Sequence, residues 1–196
     1  MRRLRRSELP IDTVALARFL IGRVLIHNSL EGRVSGRIVE TEAYVRDDPS
    51  SHAYRGATAR NASMFLKRGH AYVYFIYGVS YCCNVSSEEA GVGAAVLLRA
   101  LEPLEGIPLM EQRRATRRSR DLMRGPGRLA QALGIGPEHD GLDLCGDAPL
   151  RLADSGERAA AIGESVRIGI TRETERVLRF YERGNPFVSG PKRLNG

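Results

Sequence analysis

Short apolar runs broken by polar turns set the pattern of this chain, and the runs gather into groups of strands. Residues 1–9 read as a flexible basic arm. Asp12 caps a predicted short helix over Thr13–Leu20, with Gly22 near its end. Strands are predicted at 23–28 and 33–45, separated by a Glu31-Gly32 turn. Within the second, the stretch Gly36–Tyr44 alternates with period two. That period puts Glu40, Glu42 and Tyr44 on one face and Val39, Thr41 and Ala43 on the other. Residues 46–62 are polar and read as a loop.

Three further strands are predicted at His70–Ile76, Tyr81–Ser86 and Ala94–Leu101. The first two form a hairpin around the turn Tyr77–Ser80. Pro108 suits the start of a helix reaching Arg114. Gly125-Pro126-Gly127 breaks the chain before a short helix at Arg128–Leu133. Strands at 149–152, 165–170 and 178–182 complete the pattern. Strands in groups, not alternating with helices, indicate an α+β fold around a largely antiparallel sheet. The predicted organisation is an arm, 1–9, and one domain, 10–196, which is long enough for one sizeable core.

Charge adds a partner class. Of 30 basic residues only Lys67 and Lys192 are lysines, and the net charge is +7. A genome rich in arginine codons explains part of this. Guanidinium forks also suit phosphate oxygens. Residues 113–128 hold seven arginines and one acid, Asp121, a density that favours a phosphate-binding surface over a merely solvated face. Cys82, Cys83 and Cys145 form no spaced framework, so a reducing compartment is expected. With no signal peptide or membrane span in the pattern, the expected location is intracellular and soluble, cytoplasmic or nucleoid-associated.

The candidate chemistry lies on the strands. Glu42 or Glu40 can serve as a general base beside a flat ring, and local sequence does not choose between them. Arg99 stands in the otherwise apolar run 96–101, where a charge needs a partner. Glu42 or Glu40 fits that need, for a structural or a catalytic pair alike. Tyr72, Tyr74 and Tyr81 are core residues by default. Tyr77, before Gly78 at a hairpin tip, is placed to wedge between stacked bases. No CxxC, HExxH, Walker loop or GxSxG motif is present, and the four histidines are scattered, so no metal or cofactor is expected.

Several segments together resemble the alkyladenine (3-methyladenine) DNA glycosylases of the mammalian type. They are Gly36–Tyr44, Arg60-Asn61 with Met64-Phe65, Tyr72–Gly78, Asn84–Ser87, Val96–Gly106, Gly125-Pro126 and Leu178–Ser189. They spread from about residue 20 to 189, and their combination is far more specific than any one of them. The resemblance implies a single mixed domain on a curved antiparallel sheet, with a hairpin that enters the minor groove. It implies a monofunctional base-excision-repair enzyme that flips a damaged purine from the duplex and hydrolyses the N-glycosidic bond with an activated water.

By position in the motifs, Glu42 matches the general base and Arg99 the arginine that holds the base and its water. Tyr44, His52 and Tyr74 match groups that line and stack on the flipped base. Tyr77 matches the residue filling the vacated stack, and Asn84 the residue that crowds the exocyclic amine of guanine. Gly127 and Arg128 are candidate DNA phosphate contacts. The implied partner is double-stranded DNA containing alkylated or deaminated purines, bound by a monomer, with no membrane involved. Two departures stand out. Ser80 replaces a bulky aromatic near the wedge, and the loop from Tyr44 to His52 is one residue shorter. Two rivals differ in class: a non-catalytic nucleic-acid-binding module and a hydrolase of free nucleosides. The match at Glu42, Arg99 and Asn84 opposes the first; the hairpin tyrosine and basic segment oppose the second.

Overall fold

A computed structural model describes residues 1–76, 78–157, 159 and 161–195. Its centre is an open antiparallel sheet in the order β1 (Arg2–Arg3), β7 (Leu150–Asp154), β2 (Val24–Ser29), β3 (Gly32–Tyr44), β6 (Ala95–Glu105), β5 (Ser80–Ser86) and β4 (Ala71–Ile76). β3 is long enough to change partners on one edge. Its first half pairs with β2 and its second half with β9 (Arg179–Glu182), which carries β8 (Ile162–Ser165) beyond it.

One face of the sheet takes the helices. α1 (Thr13–Leu20), α2 (Ile107–Arg114), α3 (Ser119–Leu122) and α4 (Pro126–Leu133) bury Leu16, Met110, Leu122 and Leu129 in one core with Val34, Ile38 and Ala43 of β3. Asp12 Oδ1 accepts the Ala15 N–H at 2.7 Å, so the predicted cap is in place. The helices at one face make this an α+β fold. The other face carries small apolar clusters, the charged groups described below, loops and the 3-10 turn Ala62–Phe65.

Several boundaries differ from expectation, each for a local reason. Residues 1–9 are docked, not a free arm. Arg2–Arg3 pairs with β7, Leu4 and Leu9 are buried, and Arg2 and Arg6 form ion pairs with Glu8 and Asp143. The hairpin after β2 turns on residues 30–31, with Gly32 already paired to Ser29. α4 begins at Pro126, because proline without an N–H suits a first helical turn and Gly125 takes the left-handed-side φ of 134° before it. The strand expected at 165–170 ends at Ser165; residues 166–170 leave the sheet to cover the site. The β4–β5 hairpin has Ile76 opposite Ser80, and Gly78 between them takes φ 69°. Tyr77 lies outside the described residues.

Val39 also departs from strict alternation. Ile38 faces Leu101, Glu40 faces Ala100, and Thr41 faces Leu98. Val39 therefore has no opposite residue on β6, and Arg99 has none on β3. These are two adjacent bulges, one on each strand. They turn Val39 to the side of Tyr181 and Val188, while Ile38 joins the helix-side core. Bulges re-aim side chains, and here they direct Glu40 and Arg99 together.

Candidate active site

Glu40 and Glu42 stand on the loop-covered face of β3, both fully buried. Arg99, reaching from the bulge in β6, donates through Nε to Glu40 Oε1 at 3.0 Å and forms an ion pair through Nη1 with Glu42 Oε1 at 3.2 Å. The two carboxylates are otherwise in unlike surroundings. Glu40 also accepts from Arg179 Nε at 2.7 Å, the Ser189 N–H at 2.6 Å and the Ser189 hydroxyl at 3.0 Å. Burial alone would raise its pKa, but Arg99 and Arg179 outweigh burial and hold it below the ordinary value.

Glu42 has one arginine, the Ile168 N–H at 2.7 Å on Oε1, and the Tyr44 hydroxyl at 3.1 Å on Oε2. For Glu42 burial dominates, and its pKa is raised. A carboxylate made more basic by burial is suited to take a proton. Tyr44 is itself raised by burial and by Glu42, so its hydroxyl stays protonated and donates.

Above this floor opens a cleft of about 490 Å³. Tyr44, His52, Tyr74, Asn84 and Arg99 all line it, joined by the segment 168–172. The rings form a continuous wall. Tyr72 tilts against Tyr74 at 5.3 Å between centroids, and His52 meets Tyr74 edge-on at 4.5 Å. His52 Nδ1 lies 2.8 Å from the Tyr72 hydroxyl, and burial lowers the pKa of His52. Asn84 donates through Nδ2 to Tyr72 O at 2.9 Å, which fixes the orientation of its amide. Glu42 itself does not border the cleft; Arg99 and Tyr44, which hold it, do.

The structure thus brings Glu42, Arg99, Tyr44, His52, Tyr74 and Asn84 to one place. Gly127 and Arg128 lie in the first turn of α4, whose Pro126 borders the same cleft. A side chain at Gly127 would meet Ser80 Cβ at 2.9 Å, so the base of the hairpin packs directly on this turn. Arg128 is exposed and 3.3 Å from Asp121.

The arginine-dense segment is less free than its composition implied. Arg113 is tied to Glu31, Arg114 to Leu122 O, Arg120 to Pro186 O and Arg124 to Val188 O. Arg117, Arg118, Arg120 and Arg128 remain exposed. Arg120 and Arg124 line a second cleft together with Lys192.

Four contributors were not singled out by sequence: Arg179, Arg167, Asp48 and the Ile168 N–H. Arg167 and Arg179 lie in apolar surroundings in the sequence, Val166-Arg167-Ile168 and Leu178-Arg179-Phe180. The signal that marked Arg99 would have marked both. The Ile168 amide carries no such signal, because any residue type supplies it.

A buried carboxylate held by arginine beneath an aromatic-walled cleft is an arrangement that can activate a water beside a flat ring. Comparison with known proteins gives that arrangement its family. The profile described as methylpurine-DNA glycosylase matches residues 7–186, and the chain belongs to that family. A protein of Mesorhizobium japonicum is 60% identical over 189 residues, covering 96% of this chain and 91% of its own length. One of Paraburkholderia phytofirmans is 54% identical over 191 residues, covering 97% and 90%. One of Methanoculleus marisnigri is 46% identical over 182 residues, covering 91% and 94%. Each bears the name "Putative 3-methyladenine DNA glycosylase".

Proposed function

We propose that this enzyme is a monofunctional glycosylase that removes 3-methyladenine and related alkylated or deaminated purines from duplex DNA by base flipping. The observation that carries the reading is the stack of Glu42, Arg99 and Tyr44 beneath the ring wall of the cleft. A flipped purine leaves its stack at a cost of a few kcal/mol, less when damaged. Stacking on Tyr44 and Tyr74 offsets about 1–3 kcal/mol per base. Tyr77, which the sequence pattern puts in the hairpin turn, is assigned to the gap left behind. Asn84 is assigned to the exclusion of guanine.

In this reading a water at C1′ gives a proton to Glu42 and its oxygen bonds to C1′. The C1′–N bond breaks, and its electron pair leaves with the purine. An N3- or N7-alkylated purine carries positive charge, so it departs neutral without an acid. Anionic Glu42 also favours the oxocarbenium charge developing at the sugar. The Tyr44 hydroxyl meets Glu42 Oε2 and borders the cleft, and in this reading that edge is assigned to the attacking water. Arg99 opposes the rise that burial imposes on Glu42 and so favours its ionised form. The exposed arginines 117, 118, 120 and 128, with Gly127, are assigned to strand phosphates, and the enzyme acts as a monomer.

The test is a panel of duplexes carrying 3-methyladenine, 7-methylguanine, ethenoadenine or hypoxanthine, assayed for free base and for strand scission. Base release with an intact abasic strand is expected. Release from nucleosides but not from duplex would replace this reading with a nucleoside hydrolase. Binding without release from any lesion would replace it with a binding module.

A further inference from the structure

Behind the aromatic wall lies an ion pair with no task in the chemistry above. Arg167 and Asp48 are both buried with their side chains fully enclosed. Arg167 engages both carboxylate oxygens, Nη2 reaching Oδ1 at 3.2 Å and Nη1 reaching Oδ2. Nη1 also donates to Ala43 O at 3.2 Å. The guanidinium lies 4.7 Å from the centre of the Tyr44 ring. Tyr44 borders the cleft and Arg167 does not, so the cation covers the side of the ring turned to the protein.

The same pair ties down both loops that cover the site. Asp48 accepts the Ser50 N–H at 2.9 Å on its side chain and the Ser51 N–H at 2.8 Å on its carbonyl. That turn delivers His52 to the cleft. Arg167 immediately precedes Ile168, whose N–H meets Glu42. Stability alone gives little reason for the pair. Buried ion pairs return little net free energy, and Arg167 Nε is buried without a hydrogen-bond partner.

We propose that the Asp48–Arg167 pair sets the charge behind Tyr44 and thereby how the cleft discriminates between cationic and neutral purines. The proposal rests on the glycosylase reading. A ring face attracts a cation through its quadrupole. An uncompensated guanidinium on one face of Tyr44 would repel a cationic purine stacked on the other. Asp48 cancels that repulsion while leaving the guanidinium in place to hold the two loops. Asp48 and Arg167 are thus specificity-determining through Tyr44, and neither touches the substrate.

The experiment measures single-turnover release of 7-methylguanine, a cation, and hypoxanthine, a neutral base, from matched duplexes, and takes their ratio. Asp48→Asn leaves positive charge under the ring, and the ratio should fall about five- to tenfold. Arg167→Gln leaves negative charge, and the ratio should rise. Asp48→Glu and the double variant Asp48→Asn/Arg167→Gln, both charge-balanced, should keep the wild-type ratio even where both rates drop. The opposed shifts separate charge from loss of folding, since misfolding lowers both rates together. Ratios unchanged in the two charge-altering variants would overturn this proposal and leave the glycosylase reading standing. A wild type that releases neither base would remove that reading, and this proposal with it.

Discussion

Glu40 and Glu42, two residues apart on one strand, share a single guanidinium, yet their pKa values move in opposite directions. Glu40 has two arginines and two donors from Ser189, and it is held ionised. Glu42 has half of Arg99, one amide and one hydroxyl, and burial makes it the more basic of the two. Paired carboxylates whose surroundings push them apart have separate tasks. The sequence motif offers two equivalent glutamates; their surroundings make Glu40 a fixed counter-charge and leave Glu42 available to exchange a proton.

Glu42→Gln should abolish base release and leave binding of lesion DNA largely intact. Removal of a general base costs about 10²–10⁴-fold, so a loss of at least that size is expected in single-turnover release. A rate near wild type would mean that another group activates the water.

The pH dependence follows from the same group. Base release should fall as pH drops through the raised pKa of Glu42, so the acid limb should lie above the ordinary carboxylate range. Stability moves the other way. A carboxyl with a raised folded pKa contributes stability below its unfolded pKa, and loses it as pH rises through the folded value. Glu42→Gln should therefore be more stable than wild type near neutrality, with the difference vanishing in acid. Urea melts of both proteins across that range test the sign.

Glu40→Gln is a stability variant first. It would leave Arg99 and Arg179 buried with one counter-charge lost, and breaking a buried pair in this way costs about 3–5 kcal/mol. Because Glu40 is depressed, that contribution is present above its unfolded pKa and is lost as pH falls through the folded one. A change below about 1 kcal/mol in the unfolding free energy from urea melts at neutral pH would show that water reaches this cluster.

DNA binding should weaken with salt, but less steeply than the arginine count suggests. Five of the seven arginines in 113–128 are tied to protein groups, although Arg120 and Arg128 stay exposed. About four phosphate contacts give a log–log slope of about −3.6. A slope near zero would remove DNA phosphates as partners of this surface.

Where local spacing decides structure, the sequence was readable. Asp12 predicts the α1 cap, and Glu42 and Tyr44 share the face that alternation assigns them. Alternation failed at Val39 because the bulges at Val39 and Arg99 are set by pairing between strands distant in sequence. Composition marked 113–128 as a phosphate surface without revealing that backbone carbonyls at Pro186 and Val188 would claim two of its arginines. The covering segment 166–170 looked like a strand because Val166, Ile168 and Ile170 alternate; tertiary contacts of Arg167 and Ile168 pull it off the sheet instead.

Asn84→Ser should broaden the substrate range towards purines with a 2-amino group. Asn84 borders the cleft, and its amide is fixed by the bond from Nδ2 to Tyr72 O, so it cannot swing away from an incoming base without losing that bond. A pocket rejects by clash as well as by lost contacts, and a shorter side chain removes the clash. Asn84 makes no bond to Glu42 or Arg99, so release of 3-methyladenine should persist. The measurement compares guanine and 3-methyladenine release by wild type and variant. A variant that stays active on the lesion without gaining on guanine would assign the exclusion to another wall of the cleft.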